Sequence, residues 1–237
     1  MIGGTDHRGV TERPPTGYRA RITVRRVDLS PGPVALAAAA ARLSPAELLR
    51  AERGTDAVRA RRILVRAALR ELLGEILGLP AREVPLAARP GRPALVPAAG
   101  RADLDMSCSA SGDVGLVAVV RAGRIGVDVQ RVHDGDPDTA LAEGWLSVAE
   151  RNRIVDLPAR EQPEALARAW VQKEAVLKGQ GIGLRADMTC VRSLSRETGR
   201  IGRWSISPVD VPTGYVGCVA VRAAGLLGSV TRLPVLV

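Results

Sequence analysis

VGLVAVVRAG, residues 114–123, returns as VGCVAVRAAG at residues 216–225, identical at seven of ten positions and offset by 102 residues (114 to 216). A second pair of segments keeps nearly that period. Leu77-Gly78-Leu79-Pro80 closes one helical stretch and Ile182-Gly183-Leu184-Arg185 closes another, an offset of 105 (78 to 183). Two unrelated segments agreeing on a period point to an internal duplication. The fold expected is α+β, a pseudo-dimer of two similar α+β halves packed about an approximate twofold axis. The chain then divides into a disordered N-terminus (1–20), an N-terminal half (21–122) and a C-terminal half (123–237).

Working outward, Arg21 to Val27 alternates as a strand does, and Val34 to Arg42 is Ala-rich and helical. Ser44 starts a helix, with Glu47 three residues on as in a capping box. Thr55 to Leu77 reads as one long helix carrying Arg61 and Arg62, and Pro80 to Gly100 as a loop. Strands follow at 106–109, 114–120 and 125–130, with turns at 121–124 and 134–137. Helices are expected at 138–156 and 161–178, and strands at 201–208 and 215–222.

Composition sets limits. The chain has 237 residues, 46% of them hydrophobic, enough for a real core. Neither a membrane-spanning run nor a secretory leader is read, so a cytoplasmic protein is expected, and the internal pseudo-twofold goes with a monomer. Cys108, Cys190 and Cys218 are far apart and lack any CxxC pattern, and the only histidines are His7 and His133. Buried, reduced thiols are therefore expected, not a zinc site or a disulfide framework. A net charge of +9 favours polyanions: nucleic acid, phosphorylated cofactors or an acidic protein. With aromatics at 2%, base-stacking platforms are scarce, which argues against nucleic acid.

Of 34 basic residues only Lys173 and Lys178 are lysine, and both fall in one helix. A compact ammonium is not interchangeable with a guanidinium, so lysines surviving in an arginine-biased chain mark that helix for attention. Ala165, Leu166, Ala169, Trp170, Val176 and Leu177 form an apolar stripe at 100° per residue. Lys173 falls within it and needs a carboxylate or phosphate partner. Glu174 and Lys178, spaced i to i+4 on the flank, would by themselves be an ordinary exposed pair worth ~0.3–0.5 kcal/mol. In the strand Ile125 to Gln130, Gly126, Asp128 and Gln130 share one face by the period of two. A carboxylate in so apolar a strand is costly unless it is paired or binds a cation. A strand Asp and a helix Glu could share Mg²⁺, which takes one or two carboxylates plus phosphate oxygens. Lysines could neutralise charge on a transferring phosphate.

IGVDVQ (125–130) and WVQKEAVLKGQGIGL (170–184) closely resemble the two signature motifs of the Sfp-type 4′-phosphopantetheinyl transferases, of the group reading W…KEA. Gly91-Arg92-Pro93 is similar to that family's upstream Gly-Lys/Arg-Pro element, and Ser107 to Gly112 lies where its Ser-His-Ser segment belongs. The resemblance implies Mg²⁺-dependent transfer of the phosphopantetheine arm of coenzyme A to a serine of an acidic acyl or peptidyl carrier protein. The carriers implied are those of polyketide, nonribosomal peptide or fatty acid synthases. It implies Asp128 and Glu174 as metal ligands, with Gln130 a weak third where the family often has an acid. Glu174 would be the base; Lys178 and Lys173 would act on the leaving bisphosphate and contact phosphate. Arg61, Arg62, Arg92, Ser109 and Ala110 would line the nucleotide end of coenzyme A. Ala110 replaces the usual histidine, which predicts weaker coenzyme A binding with the chemistry intact. Trp145, Leu146 and Arg151, with Arg153, lie in the family's carrier-docking stretch; a plain core-packed helix is the competing account. The functional alternative is a degenerate homologue that binds coenzyme A or a carrier without turnover.

Overall fold

The computed structural model describes residues 20–30, 32–87, 91–96, 103–133, 135–182, 187–223 and 227–236. The expected disorder of residues 1–20 therefore concerns a segment that, but for its last residue, lies outside these, as does the Gly183-Leu184-Arg185 part of the repeat. Strand β1 (Ala20–Asp28) is followed by helices α1 (Pro33–Ala40), α2 (Pro45–Ala51) and α3 (Asp56–Leu77). The hairpin strands β2 (Leu104–Ser111) and β3 (Val114–Arg121) come next, then β4 (Gly123–Arg131). Short helices α4 (Pro137–Ala142) and α5 (Val148–Val155) lead to the long α6 (Gln162–Gln180). The chain ends in β5 (Gly199–Ile201), β6 (Trp204–Val209), β7 (Tyr215–Ala223) and β8 (Leu227–Leu236).

The strands form two four-stranded sheets, ordered β2-β3-β1-β8 and β4-β7-β6-β5. In the first, β1 and β2 flank β3 and both pair with it antiparallel; in the second, β4 and β6 flank β7 in the same way. The duplicated segments are β3 and β7, which hold equivalent central places. A long helix separates the outer strands in each case: α3 between β1 and β2, α6 between β4 and β6.

Alternation along the strands explains the layering. Val117 and Val119 join Leu69, Leu72 and Leu73 of α3 in one core, while Leu116, Ala118 and Val120 join Val127 and Val219 in a core between the sheets. Both faces of β3 are thus buried, which is why it reads as an almost unbroken apolar run. Val176, Leu177, Trp204 and Ile206 form the core between α6 and the second sheet.

The two sheets meet at their edges, β2 against β4, through side chains. Asp105, Ser107, Ser109 and Ser111 alternate along β2 and so leave one face of it. Asp105 Oδ2 accepts the N–H of Ile125 (2.8 Å), and the Ser107, Ser109 and Ser111 hydroxyls accept those of Val127 (3.1 Å), Val129 (3.4 Å) and Arg131 (3.0 Å). Four otherwise unpaired edge amides are satisfied in this way; at the buried Val127, leaving the amide bare would cost ~1–3 kcal/mol.

Several expectations are revised. The helix expected at 138–156 is two helices, because Gly144 is left-handed (φ 78°) and Ser147 caps a new start in a capping box with Glu150. The strand expected at 201–208 is a hairpin, β5 and β6, turning at Gly202 (φ 55°). The loop at 80–100 holds a short 3-10 turn at Ala81–Glu83 and an isolated bridge, Leu86 to Leu95. Strand β8, absent from the sequence reading, pairs parallel with β1 and so places the C-terminal segment in the first sheet. The three cysteines are free, but only Cys218 is buried; Cys108 is half-buried and Cys190 exposed.

Candidate active site

The site forms where β2, β4 and α6 converge. A Cβ on Gly126 would lie 1.8 Å from the Ala175 carbonyl oxygen and 2.6 Å from the Gly179 nitrogen. Only glycine lets the backbone of α6 rest directly on β4. Two residues on, the same face of β4 presents Asp128, while α6 presents Glu174 and, one turn later, Lys178. Gly181, left-handed at φ 79°, then closes α6.

Asp128 is 4% exposed and Glu174 5%. Asp128 Oδ1 accepts from Lys178 Nζ (2.5 Å) and from the Ser109 hydroxyl (2.6 Å), and Lys178 Nζ also donates to Ser109 Oγ (2.9 Å). Two carboxylate oxygens are left over: Asp128 Oδ2 and Glu174 Oε1 are buried without a hydrogen-bond partner among the described residues. Burial pushes the Asp128 carboxyl above its ordinary range, against the opposing pull of Lys178 and Ser109. Burial also raises Glu174, and the charge of Asp128 adds to it, with Lys178 in opposition. Two mutually repelling carboxylates, each with a desolvated oxygen unused, are short of positive charge. A hard, oxygen-seeking divalent cation such as Mg²⁺ fits that deficit.

Arg92 is committed to the frame of the site. Its Nε and Nη2 grip Asp105 (3.2 and 2.5 Å), Nη2 also donates to the Ile125 carbonyl (2.5 Å), and Nη1 donates to the Lys178 carbonyl. The guanidinium therefore ties the last turn of α6 to both sheet edges.

Ser109 and Ala110 line a cavity of 570 Å³ whose opposite wall carries Arg50, Arg53, Arg61 and Arg62. Arg61 Nε is buried with no hydrogen-bond partner among the described residues, whereas Arg62 donates to the carbonyls of Arg53 and Arg50 (3.4 Å to Arg50). Arg66, from the same helix, is instead held by Glu47 and the Ala87 carbonyl. Arg50 and Arg53 were not singled out in the sequence; their spacing across the end of α2, facing Arg61 one helix on, was the available signal. Cys108 also lines this cavity, where desolvation pushes its thiol up to about 12, away from the nucleophilic thiolate form.

A second cavity, of 530 Å³, is lined by Gln130, His133, Glu143, Trp145 and Trp170 among others. Gln130, two residues beyond Asp128 on the same face of β4, thus borders this second space. Trp145 packs edge-on against Trp170 at 4.9 Å.

Two expected site residues lie elsewhere. Lys173 is fully buried; its ammonium donates to Glu150 Oε2 (2.9 Å) and the Met188 carbonyl (3.0 Å). A carboxylate, not a phosphate, resolves its place in the apolar stripe. Leu146, 1% exposed, belongs to a core with Ile154 and Leu166 and offers no surface to a partner. Arg151 is exposed but held by Asp138 through two bonds (2.7 and 2.9 Å), and Arg153 donates to the Ser193 carbonyl (3.1 Å).

Residues 124–205, which include both motifs, match the family model of the 4′-phosphopantetheinyl transferase superfamily. A protein of Synechocystis sp. named "Putative 4′-phosphopantetheinyl transferase" is 29% identical over 151 residues. That similarity covers 63% of this chain and 61% of the relative, so the chain matches about three-fifths of the length of that curated protein. Both comparisons bear out the resemblance at the level of the 4′-phosphopantetheinyl transferases.

Proposed function

We propose that this relative of the 4′-phosphopantetheinyl transferases moves the phosphopantetheine arm of coenzyme A onto a serine of an apo carrier protein and releases adenosine 3′,5′-bisphosphate. The observation that carries this reading is the pair of unpartnered buried oxygens, Asp128 Oδ2 and Glu174 Oε1, beside Lys178 at the edge of an arginine-lined cavity.

Asp128 and Glu174 would hold Mg²⁺, with Gln130, at the border of the second cavity, a weak third. The ion, when bound, offsets the charge of the diphosphate. Arg50, Arg53, Arg61 and Arg62 give the nucleotide end its countercharge, since guanidinium forks match phosphate oxygens well. The serine hydroxyl of the carrier attacks the phosphorus bearing pantetheine. A Ser O–P bond forms as the P–O bond between the two phosphates breaks. Glu174, its basicity raised by burial, takes the serine proton. Lys178 Nζ leaves its contact with Asp128 to meet the departing phosphate oxygen and hand it a proton. Ser109, which touches both Asp128 and Lys178, keeps that ammonium within reach. Arg92 positions Lys178 through its backbone and does not itself meet the cofactor. The duplicated strand order of the two sheets supports reading the fold as a pseudo-dimer with the site at the junction.

The test is mass spectrometry of apo carrier proteins incubated with the chain, coenzyme A and Mg²⁺. One phosphopantetheine should be added per carrier, with the gain abolished by EDTA and severely reduced in Glu174→Gln. Coenzyme A binding without any mass gain across several carriers would replace this reading with that of a binding homologue.

A further inference from the structure

At the start of β4, distinct in its lining from the arginine-lined cavity at Ser109, lies a recess of 510 Å³ lined by Gly123, Arg124, Arg200, Arg203, Arg222 and Ala223. Four of these six residues are arginine and none is acidic. The sheet register brings them together. Arg124 of β4 stands directly opposite Arg222 of β7, and the β5–β6 hairpin contributes Arg200 and, at its turn, Arg203. Like charges placed directly across a strand pair are destabilising, so this pairing has a cost.

Elsewhere the fold avoids that cost. Arg25 meets Glu75, Arg70 meets Glu47, Arg121 meets Asp103 and Arg168 meets Glu164. In the recess, Arg200 and Arg203 have no polar partner among the described residues, and Arg222 has only the ring of Trp204, 5.6 Å away. Arg124 has the Gly179 carbonyl at 3.4 Å and Asp105 at 3.5 Å, which leaves most of its fork unused. Trp204 is buried beneath α6, so no aromatic face is open for a nucleobase.

We propose that this recess is a binding site for a multiply charged phosphate anion, separate from the proposed coenzyme A cavity. A single carboxylate would neutralise one of four guanidinium groups. A phosphate or diphosphate carries two or more charges and several acceptor oxygens, and can take bidentate donation from more than one fork. A duplex nucleic acid would use the same charges but a far wider surface.

Trp204 supplies the readout, because its indole sits against Arg222. The uniformly ¹⁵N-labelled chain is titrated with inorganic pyrophosphate at constant ionic strength, without divalent ions, and the Trp204 indole signal is assigned with Trp204→Phe. It should move saturably with a midpoint below about 1 mM. The double variant Arg200→Gln/Arg203→Gln should weaken that midpoint at least tenfold, and Arg222→Gln should do the same for a backbone amide of β7. Phosphopantetheine transfer by the double variant should equal that of the parent, so the inference stands or falls apart from the proposed function. A Trp204 signal that drifts linearly, or moves alike in parent and double variant, overturns the site. Tight binding of a DNA duplex lost in the same variants, with no saturable response to pyrophosphate, would overturn it in favour of a nucleic-acid surface.

Discussion

Replacing Lys173 by methionine separates a structural lysine from a catalytic one. Glu150 Oε2 accepts from Lys173 Nζ and from the amide and hydroxyl of Ser147 (2.9 and 2.7 Å), while Oε1 accepts from the amide and hydroxyl of Ser193 (2.6 and 2.7 Å). The carboxylate thus joins α5, α6 and the 193 segment, and Lys173 is its only cation among the described residues. Removing one partner of a buried pair strands the other charge, at a cost of ~3–5 kcal/mol. For a chain of this length that is a fall of roughly 6–20 °C in Tm. The assay is calorimetry plus urea unfolding of Lys173→Met, Glu150→Gln and the double variant. The double variant should recover part of the loss, because it strands no charge, giving a coupling of about 1–3 kcal/mol. The folded fraction of Lys173→Met should keep its transfer rate and its affinity for coenzyme A. A variant with unchanged Tm and abolished transfer would refute the reasoning and return Lys173 to the phosphates.

Glu150 is held down at about 2 from 4.5, so its stabilising share is full above the unfolded value and is lost as pH falls from about 4.5 toward 2. Acid unfolding of the parent should therefore be steeper in that window than that of Glu150→Gln. Glu174 and Asp128 are shifted the other way, so their ionised forms cost stability as pH rises through their folded pKa values. Glu174→Gln should match or exceed the parent's Tm in EDTA at neutral pH. Mg²⁺ at a hundred times its Kd should stabilise the parent by ~2.7 kcal/mol and leave Glu174→Gln unmoved; equal shifts would rule out the two-carboxylate site. Gly126→Ala forces α6 away from β4 and should cost ~3 kcal/mol along with most transfer activity, whereas Gly32→Ala, with nothing within 4 Å of its new methyl, should cost only ~0.5–1 kcal/mol through its N-cap place on α1 and leave transfer intact. Ala110→His, on the wall of the arginine-lined cavity, should lower the KM for coenzyme A; an unchanged KM would mean the imidazole does not reach the nucleotide.

The residues that place the site were legible because their signals are local. A glycine and an aspartate at i and i+2 in an apolar strand announce a close helix and a buried charge. Glu174 and Lys178 share one side of their helix by spacing alone. The cap at Ser44 and the helix start at Thr55 follow from short polar side chains before helical runs, whereas the cap at Ser147 was hidden inside a run that read as one helix. The rest depended on long-range partners. Lys173 could be flagged as needing a counter-ion, but only the fold shows that α5 delivers Glu150. The run 138–156 looks continuous until Leu146 is seen to turn inward. Strand β8 owes its place to pairing with β1, some two hundred positions earlier, which no local pattern encodes. The alternation Asp105, Ser107, Ser109, Ser111 was in plain view, yet its purpose needs β4 alongside.

That alternation gives the junction an unusual grammar. An exposed strand edge is an open invitation to another chain, commonly refused by lysines, prolines or bulges. Here two edges turn toward each other, and hydroxyls fill the distance that a backbone ladder would have closed. The spacing is wide enough for a hydroxyl such as Ser109 to look both ways, fastening Val129 while touching Asp128 and Lys178. Assembly of the two sheets and assembly of the reactive groups are therefore one event, and a molecule with its seam unzipped would lose its chemistry before it lost its helices.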